Sequence, residues 1–248
     1  MARRIICIIW LLLACPLLVQ AESIVVFGAQ DYPGVCYLKD GKPQGIFPEI
    51  LAGVAKYSGD DYKLRLLPWA RAQAMAQGGK GGIAHFSMNN ERLAVFDFSD
   101  PVYVDDIILV AIKGKQFLYA QPGDLKGRRL GVMASASYGQ QVDSMMHAGD
   151  VTVDLDYGVV SRLRKLLAGR IDVAVVEGTE GNIDDVLAAD GELKMNAAKF
   201  VILPVPLVHD PLYLAFAKSM NRQDALERFN AGLARFKKTP SYKALVRK

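Results

Sequence analysis

Arg92 follows a short apolar stretch, residues 83–86, and a polar tip, Ser87-Met88-Asn89-Asn90. A guanidinium presents paired N–H donors in a fixed plane, the shape that takes a carboxylate by two points. Ser87 and Asn89 lie two apart in an extended segment, so their side chains point the same way. The plainer alternative is a surface arginine paired with Glu91 or Asp97. A second place for negative charge is the turn Ser135-Ala136-Ser137-Tyr138, which leads from a strand pattern into a helix. Free N–H groups and the helix dipole favour an anion there, unless Ser135 or Ser137 is an ordinary N-cap. Glu177 ends the apolar run 171–176 and brings the opposite sign, or it is a solvated carboxylate at a loop start. If Arg92 and Glu177 line one cleft, the site suits a zwitterion, with a cation for its carboxylate and an anion for its ammonium.

Other chemistries find little footing. His85, His147 and His209 are far apart and form no i, i+4 pair, so neither a metal site nor a cofactor is expected. No Ser-His-Asp or Cys-His arrangement stands out. The run Gly78-Gly79-Lys80-Gly81-Gly82 lacks phosphate-loop spacing and follows a helix pattern, so it reads as helix termination and a turn.

Strand and helix patterns alternate along the chain. Residues 23–28 read as a strand, and Phe47, Ile50, Leu51 and Val54 recur at helical spacing. Residues 62–67 alternate as a second strand, Pro68 opens an Ala-rich helix, and 83–86 form a third strand. The pattern then repeats. Residues 130–133, 151–156 and 171–176 read as strands, and Val160, Leu163, Leu166 and Leu167 as a helical face. Such alternation predicts two α/β lobes with mostly parallel sheets. The apolar runs 107–112 and 212–217 look like two strands crossing between the lobes. The expected division is 22–109 plus 215–248 for a discontinuous lobe one and 110–214 for lobe two. A cleft between lobes joined by two strands is where a small ligand would sit.

At the N-terminus, Arg3-Arg4, the apolar run 5–19 and a small residue at Ala21 read as a cleavable secretory signal. Fifteen apolar residues are short of the roughly 20 that span a bilayer. Leu12-Leu13-Ala14-Cys15 loosely resembles a lipobox, which makes lipid anchoring at Cys15 the lesser expectation. Cleavage after Ala21 would leave 227 of the 248 residues and Cys36 as a lone thiol, unable to form an intrachain disulfide. It would also remove Arg3 and Arg4, so 30 basic side chains become 28 against 26 acidic, and net charge falls from +4 to +2. That balance gives no argument for nucleic acid.

The order strand, polar tip, Arg92, then Phe98-Ser99-Asp100-Pro101 resembles the signature of bacterial extracellular solute-binding proteins of family 3, the periplasmic binding proteins for amino acids and related solutes. The resemblance implies a type II periplasmic binding protein fold, a periplasmic monomer, and delivery of an amino acid to an ABC transporter permease. It also implies roles for single residues. Arg92 clamps the ligand carboxylate, Ser87 and Asn89 hydrogen-bond the ligand, and the amides of the 135–138 turn, with Ser137 and Tyr138, hold the same carboxylate from lobe two. Glu177 pairs with the ammonium. Asp31-Tyr32-Pro33-Gly34 resembles the family's aromatic loop, so Tyr32 or Tyr37 would cover the ligand. Pro68-Trp69-Ala70-Arg71 resembles a proteobacterial variant in which Trp69 faces the cleft or packs under its helix. His85 stands where the family has a small residue, either shrinking the pocket, contacting a ligand carboxylate or packing in its strand. Two other roles share the scaffold: a periplasmic sensor module reporting to a membrane partner, and a dehydratase-like enzyme.

Overall fold

A computed structural model describes residues 22–178 and 180–247. The signal-peptide and Cys15 expectations lie outside the described residues.

The chain opens with β1 (Ser23–Ala29), a small hairpin sheet of β2 (Asp31–Tyr32), β3 (Cys36–Lys39) and β4 (Lys42–Gln44), and then α1 (Ile46–Ser58). Next come β5 (Asp61–Leu67), α2 (Trp69–Gln77), β6 (Gly82–Ser87), α3 (Asn90–Val95) and β7 (Phe96–Phe98). The long β8 (Tyr103–Ile112) leads to β9 (Arg129–Met133), α4 (Gln140–Ala148), β10 (Thr152–Asp156), α5 (Val159–Leu167) and β11 (Val173–Glu177). After α6 (Glu180–Ala189), α7 (Gly191–Met195) and β12 (Phe200–Ile202), a second long strand, β13 (Val208–Ala217), precedes α8 (Gln223–Phe236) and α9 (Pro240–Leu245).

One sheet runs in the order β10-β9-β11-β8-β13-β6-β1-β5. Each end is parallel, β5-β1-β6 in one lobe and β10-β9-β11 in the other, and only the two long strands run antiparallel to their neighbours. Residues 103–107 pair with 208–212. Beyond that ladder β8 turns to β11 and β12, and β13 turns to β6 and β7. The change of partner therefore falls where the apolar runs 107–112 and 212–217 begin.

Packing follows the sequence periodicities. The edge strand β5 alternates, with Tyr62, Leu64 and Leu66 half-buried against the core and Asp61, Lys63 and Arg65 exposed. Phe47, Ile50, Leu51 and Val54 of α1 pack against Leu226, Phe229 and Leu233 of α8, which closes lobe one with the C-terminal segment. Gly53 permits that approach, since a Cβ there would come within 2.2 Å of the Phe236 ring. In α5 the buried face is Val159, Arg162, Leu163 and Leu166, with Val160 and Leu167 only half-buried. The face is turned from the one read in the sequence because Arg162, fully buried, meets two carboxylates beneath the helix.

Candidate functional site

The tips of β1, β2 and β6 in lobe one face the ends of β9 and β11 and the turn before α4 in lobe two, across the β8–β13 ladder. Between them lies a cavity of about 30 Å³. Tyr32, Trp69, His85, Ser87 and Arg92 line it from lobe one, and Ser137 and Glu177 from lobe two. Ala29, Ile107, Met133, Ala136 and Asp210 complete the wall. A void of that size holds a water or two, so admitting an amino-acid-sized solute requires the lobes to part. Asn89 and Tyr138, also anticipated as ligand residues, do not line it.

Arg92 is 6% exposed, with its guanidinium carbon 4.1 Å from the centre of the Phe86 ring. Nη1 donates to the Ser87 carbonyl at 2.8 Å and Nη2 to the Ser135 carbonyl at 3.2 Å, so part of the fork bridges the cleft. Burial lowers the guanidinium to about 10, with Asp143 and Asp210 opposing the shift, and it stays charged at neutral pH. Neither Glu91 nor Asp97 forms an ion pair with it.

Asn89 caps α3, its Oδ1 accepting the Arg92 N–H at 2.8 Å. Its Nδ2 reaches across to Ser137 Oγ and Asp143 Oδ2, both at 3.1 Å. Trp69 Nε1 donates to the Ser135 carbonyl at 3.1 Å. Asn89 and Trp69 are therefore closing contacts between lobes, and Trp69 also lines the cavity.

The 135–138 turn holds an anion supplied by its own chain. Asp143, from the first turn of α4, accepts the Tyr138 N–H at 2.8 Å and the Ser137 hydroxyl at 2.6 Å. The Ala136 N–H is bonded to Met133. Two of the amides expected to hold a ligand carboxylate are thus occupied, and the N-cap of α4 is Gly139, not a serine. Ser135 takes φ +64°, which turns its carbonyl toward Arg92 and Trp69.

Glu177 faces the cavity but is not isolated. Arg162 Nη1 lies 3.2 Å from its Oε2, and the Tyr138 hydroxyl is 3.4 Å from its Oε1. Arg162 also takes Asp156 by two bonds, at 3.0 and 2.9 Å, and donates to the Val175 carbonyl. Desolvation pulls the Arg162 guanidinium down, but Glu177, Tyr138 and Asp156 outweigh it and push it above its ordinary range. Tyr138 serves beneath the cavity as the strut between Met133 and Glu177.

His85 is a packed strand histidine that also forms cavity wall. It takes φ +42°, its Nε2 accepts the Ala29 N–H at 2.9 Å, and it stacks on Trp69 with centroids 5.1 Å apart. Burial, aided by Arg92, lowers the ring to about 3, which holds it neutral. The aromatic of the 31–34 loop at the cavity is Tyr32, whose hydroxyl donates to Asp105 at 2.9 Å, whereas Tyr37 faces an outer groove. Cys36 is buried behind this loop, its thiol pushed up to about 12 by desolvation.

Three residues escaped the sequence reading: Arg162, Asp105 and Asp210. Arg162 sits at a helix position that periodicity would turn outward. Asp105 and Asp210 lie on the shared ladder, where they are register partners, and no local spacing relates them. Among the described residues no group of three or more His, Cys, Asp or Glu side chains is arranged to hold a metal, and no helix is long and apolar enough to cross a membrane.

Residues 24–248 match the profile of the bacterial extracellular solute-binding proteins, family 3. Among curated relatives, an L-cystine-binding protein of Escherichia coli is 27% identical over 161 residues, covering 62% of this chain and 59% of that protein. The lysine/arginine/ornithine-binding periplasmic protein of the same organism is 28% identical over 178 residues, covering 67% of this chain and 62% of the relative. The chain thus spans about three fifths of the length of the curated relatives it matches. Among solved structures, an ancestral arginine-binding protein bound to arginine superposes with a TM-score of 0.72 at 23% identity, over 91% of this chain and 97% of the other. A histidine kinase sensor domain similar to periplasmic binding proteins gives 0.75 at 24%, over 91% and 95%. These likenesses establish the two-lobed α/β architecture of type II periplasmic binding proteins. The chain belongs to family 3 of the bacterial extracellular solute-binding proteins.

Proposed function

We propose that this protein captures an amino-acid-like zwitterion in the periplasm by closing its two lobes over it, and delivers it to an ABC importer. The observation that carries this reading is one cavity with Arg92 on one lobe and Glu177 on the other. Arg92 keeps N–H donors beyond the two bonded to carbonyls, and a charge-assisted bond contributes about 1.5–3 kcal/mol. Micromolar affinity needs about 8 kcal/mol, so the remainder must come from Ser87, the carboxylates and the aromatic walls. Tyr32 and Trp69 supply apolar surface, and His85 limits the room for a ligand side chain. The names of the curated relatives, which bind cystine or basic amino acids, support the substrate class.

We read the protein as a binder and not an enzyme. Of the two groups that could serve a dehydratase-like step as general acid, His85 is neutral with its Nε2 accepting a backbone N–H, and Glu177 is bound to Arg162, which supports a binding role. A sensor role keeps one specific observation, the likeness to a kinase sensor domain. A neighbouring permease and ATPase gene would favour import, and a neighbouring membrane kinase gene would favour sensing.

A thermal-shift screen with the twenty amino acids and L-cystine tests the reading. A ligand at 100 times its Kd should stabilise the fold by about 2.7 kcal/mol, and Arg92→Ala should abolish the shift. The same shift in the variant would sink the carboxylate clamp.

A further inference from the structure

The shared ladder sets two carboxylates face to face at the floor of the cleft. Asp105 of β8 and Asp210 of β13 are register partners, so their side chains leave the same side of the sheet. The next pair alternates outward, with His209 Nδ1 2.6 Å from Asp106 Oδ1. Like charges directly opposite each other are unfavourable, and both carboxyls are buried, Asp105 fully and Asp210 to 6% exposure. Asp105 is relieved by hydroxyls, from Tyr32 at 2.9 Å and Tyr103 at 3.4 Å. Asp210 has one hydrogen bond among the described residues, from Ser87 Oγ to Oδ2 at 2.6 Å, and it lines the cavity.

A count of charge on the cavity wall gives one cation, Arg92, against Glu177 and Asp210. Glu177 already has a guanidinium at 3.2 Å. Asp210 has no guanidinium or ammonium in ion-pair contact among the described residues, and Arg92 acts on it only at longer range. We propose that Asp210 is the carboxylate that receives the ligand's ammonium group, with Ser87 as the hydroxyl that orients it. This rests on the zwitterion-capture reading and moves the ammonium contact from Glu177 to the floor of the cleft. Arg92 and Asp210 would then hold the two ends of the amino-acid head group, while Glu177 stays bound to Arg162.

A consequence is exchange of a proton for a ligand. Desolvation raises Asp210 to about 7, with Ser87 and Arg92 lowering it and Asp105 and Glu177 raising it further. Of the groups beside it, His85 is neutral, Tyr32 stays protonated well above neutral pH, Arg92 is charged, and Asp105 stands opposite as a second carboxyl group. Near pH 6 the free protein holds the proton on Asp210, and an incoming ammonium displaces it. Capture should therefore strengthen as pH rises from 6 to 8.

Calorimetry tests this with each of the twenty L-amino acids and L-cystine, and with the acids that lack the α-amino group, against wild type, Asp210→Asn and Glu177→Gln. For an amino acid that binds, wild type is expected to release close to one proton at pH 6, read from buffers of different ionisation enthalpy. Asp210→Asn should bind about 100-fold more weakly with no proton release, and Glu177→Gln should lose about tenfold or less. Acids lacking the amino group should bind both wild type and Asp210→Asn weakly and alike. Undiminished binding by Asp210→Asn, or a larger loss in Glu177→Gln, overturns the assignment alone. Absence of proton release by wild type also overturns it, and needs no variant to fold. Binding of no compound by wild type at any pH overturns the capture reading and this assignment with it.

Discussion

His85 and Asp210 both line the cavity and respond to pH in opposite senses. The folded His85 ring sits near 3 against 6.5 in an ordinary environment. Its contribution to stability is whole above pH 6.5 and drains as pH falls from there toward 3, since the unfolded chain binds the proton more readily. Asp210 is raised to about 7 from 3.8. Its neutral form suits the fold, so its contribution is whole below 3.8 and is lost as pH rises through 7. Each has a limiting slope of about 1.4 kcal/mol per pH unit, and between pH 4 and 6.5 the two cancel. Asp210→Asn removes one side of that balance. Urea unfolding of the variant should show stability rising from pH 4 to 6.5 more steeply than in wild type. At pH 8 the variant should be the more stable protein by roughly 2–4 kcal/mol, although it binds ligand worse. Parallel pH profiles for the two proteins would remove Asp210 from this account.

Between elements, closure is written in a few side chains at helix starts. The tip before α3 meets the turn before α4 through Asn89, Ser137 and Asp143, and the Asn90 N–H donates to Gln140 Oε1 at 3.3 Å. Asn89 both caps α3 and latches the lobes, and two substitutions separate these jobs. Asn89→Ala loses both and should cost about 1–2 kcal/mol of stability. Asn89→Asp keeps the capping oxygen but sets a carboxylate against Asp143, so it should open the cleft while α3 stays formed. Small-angle scattering of unliganded protein should give a larger radius of gyration for both variants, and an unchanged radius for Asn89→Asp would rule out the latch. The alternation of strands and helices was legible because apolar periodicity reports burial directly, as in residues 23–29 or at Phe47, Ile50, Leu51 and Val54. The hairpin sheet at 31–44 was not, since Gly34, Gly41 and Pro43 read as loop and only Tyr32 and Cys36 are buried within its strands. Arg162 was missed because a basic residue in an amphipathic helix normally faces water, and here Asp156 and Glu177, from two separate strands, draw it inward. Pairing such as Asp105 with Asp210 depends on register between strands distant in sequence, which no local pattern encodes.

The ten-stranded sheet is continuous through both lobes by way of the β8–β13 ladder, so a small displacement at residues 103–107 and 208–212 is magnified at the lobe tips. The closed form is held across the cleft by a handful of hydrogen bonds at Trp69, Asn89, Asn90 and Arg92. Each contributes about 0.5–1.5 kcal/mol net, so open and closed forms differ by a few kcal/mol and a ligand binding the closed form governs the balance. Trp69 is placed to report this. In a chain beginning at Glu22 it is the sole tryptophan, because the other, Trp10, lies upstream. Its indole nitrogen bonds the Ser135 carbonyl of the opposite lobe and its ring stacks on His85. Opening exposes the indole to water and breaks that bond, so the unliganded protein should emit at longer wavelength than the ligand-saturated one. Titration with an amino acid that stabilises the fold should produce a saturable blue shift with the calorimetric midpoint. Asn89→Asp should start further to the red and need more ligand to reach the same end point, since more of the binding energy goes into closing the lobes. Emission unmoved by a bound ligand would mean that closure does not pass through Trp69, and the hinge would have to be sought outside the 103–107 and 208–212 ladder.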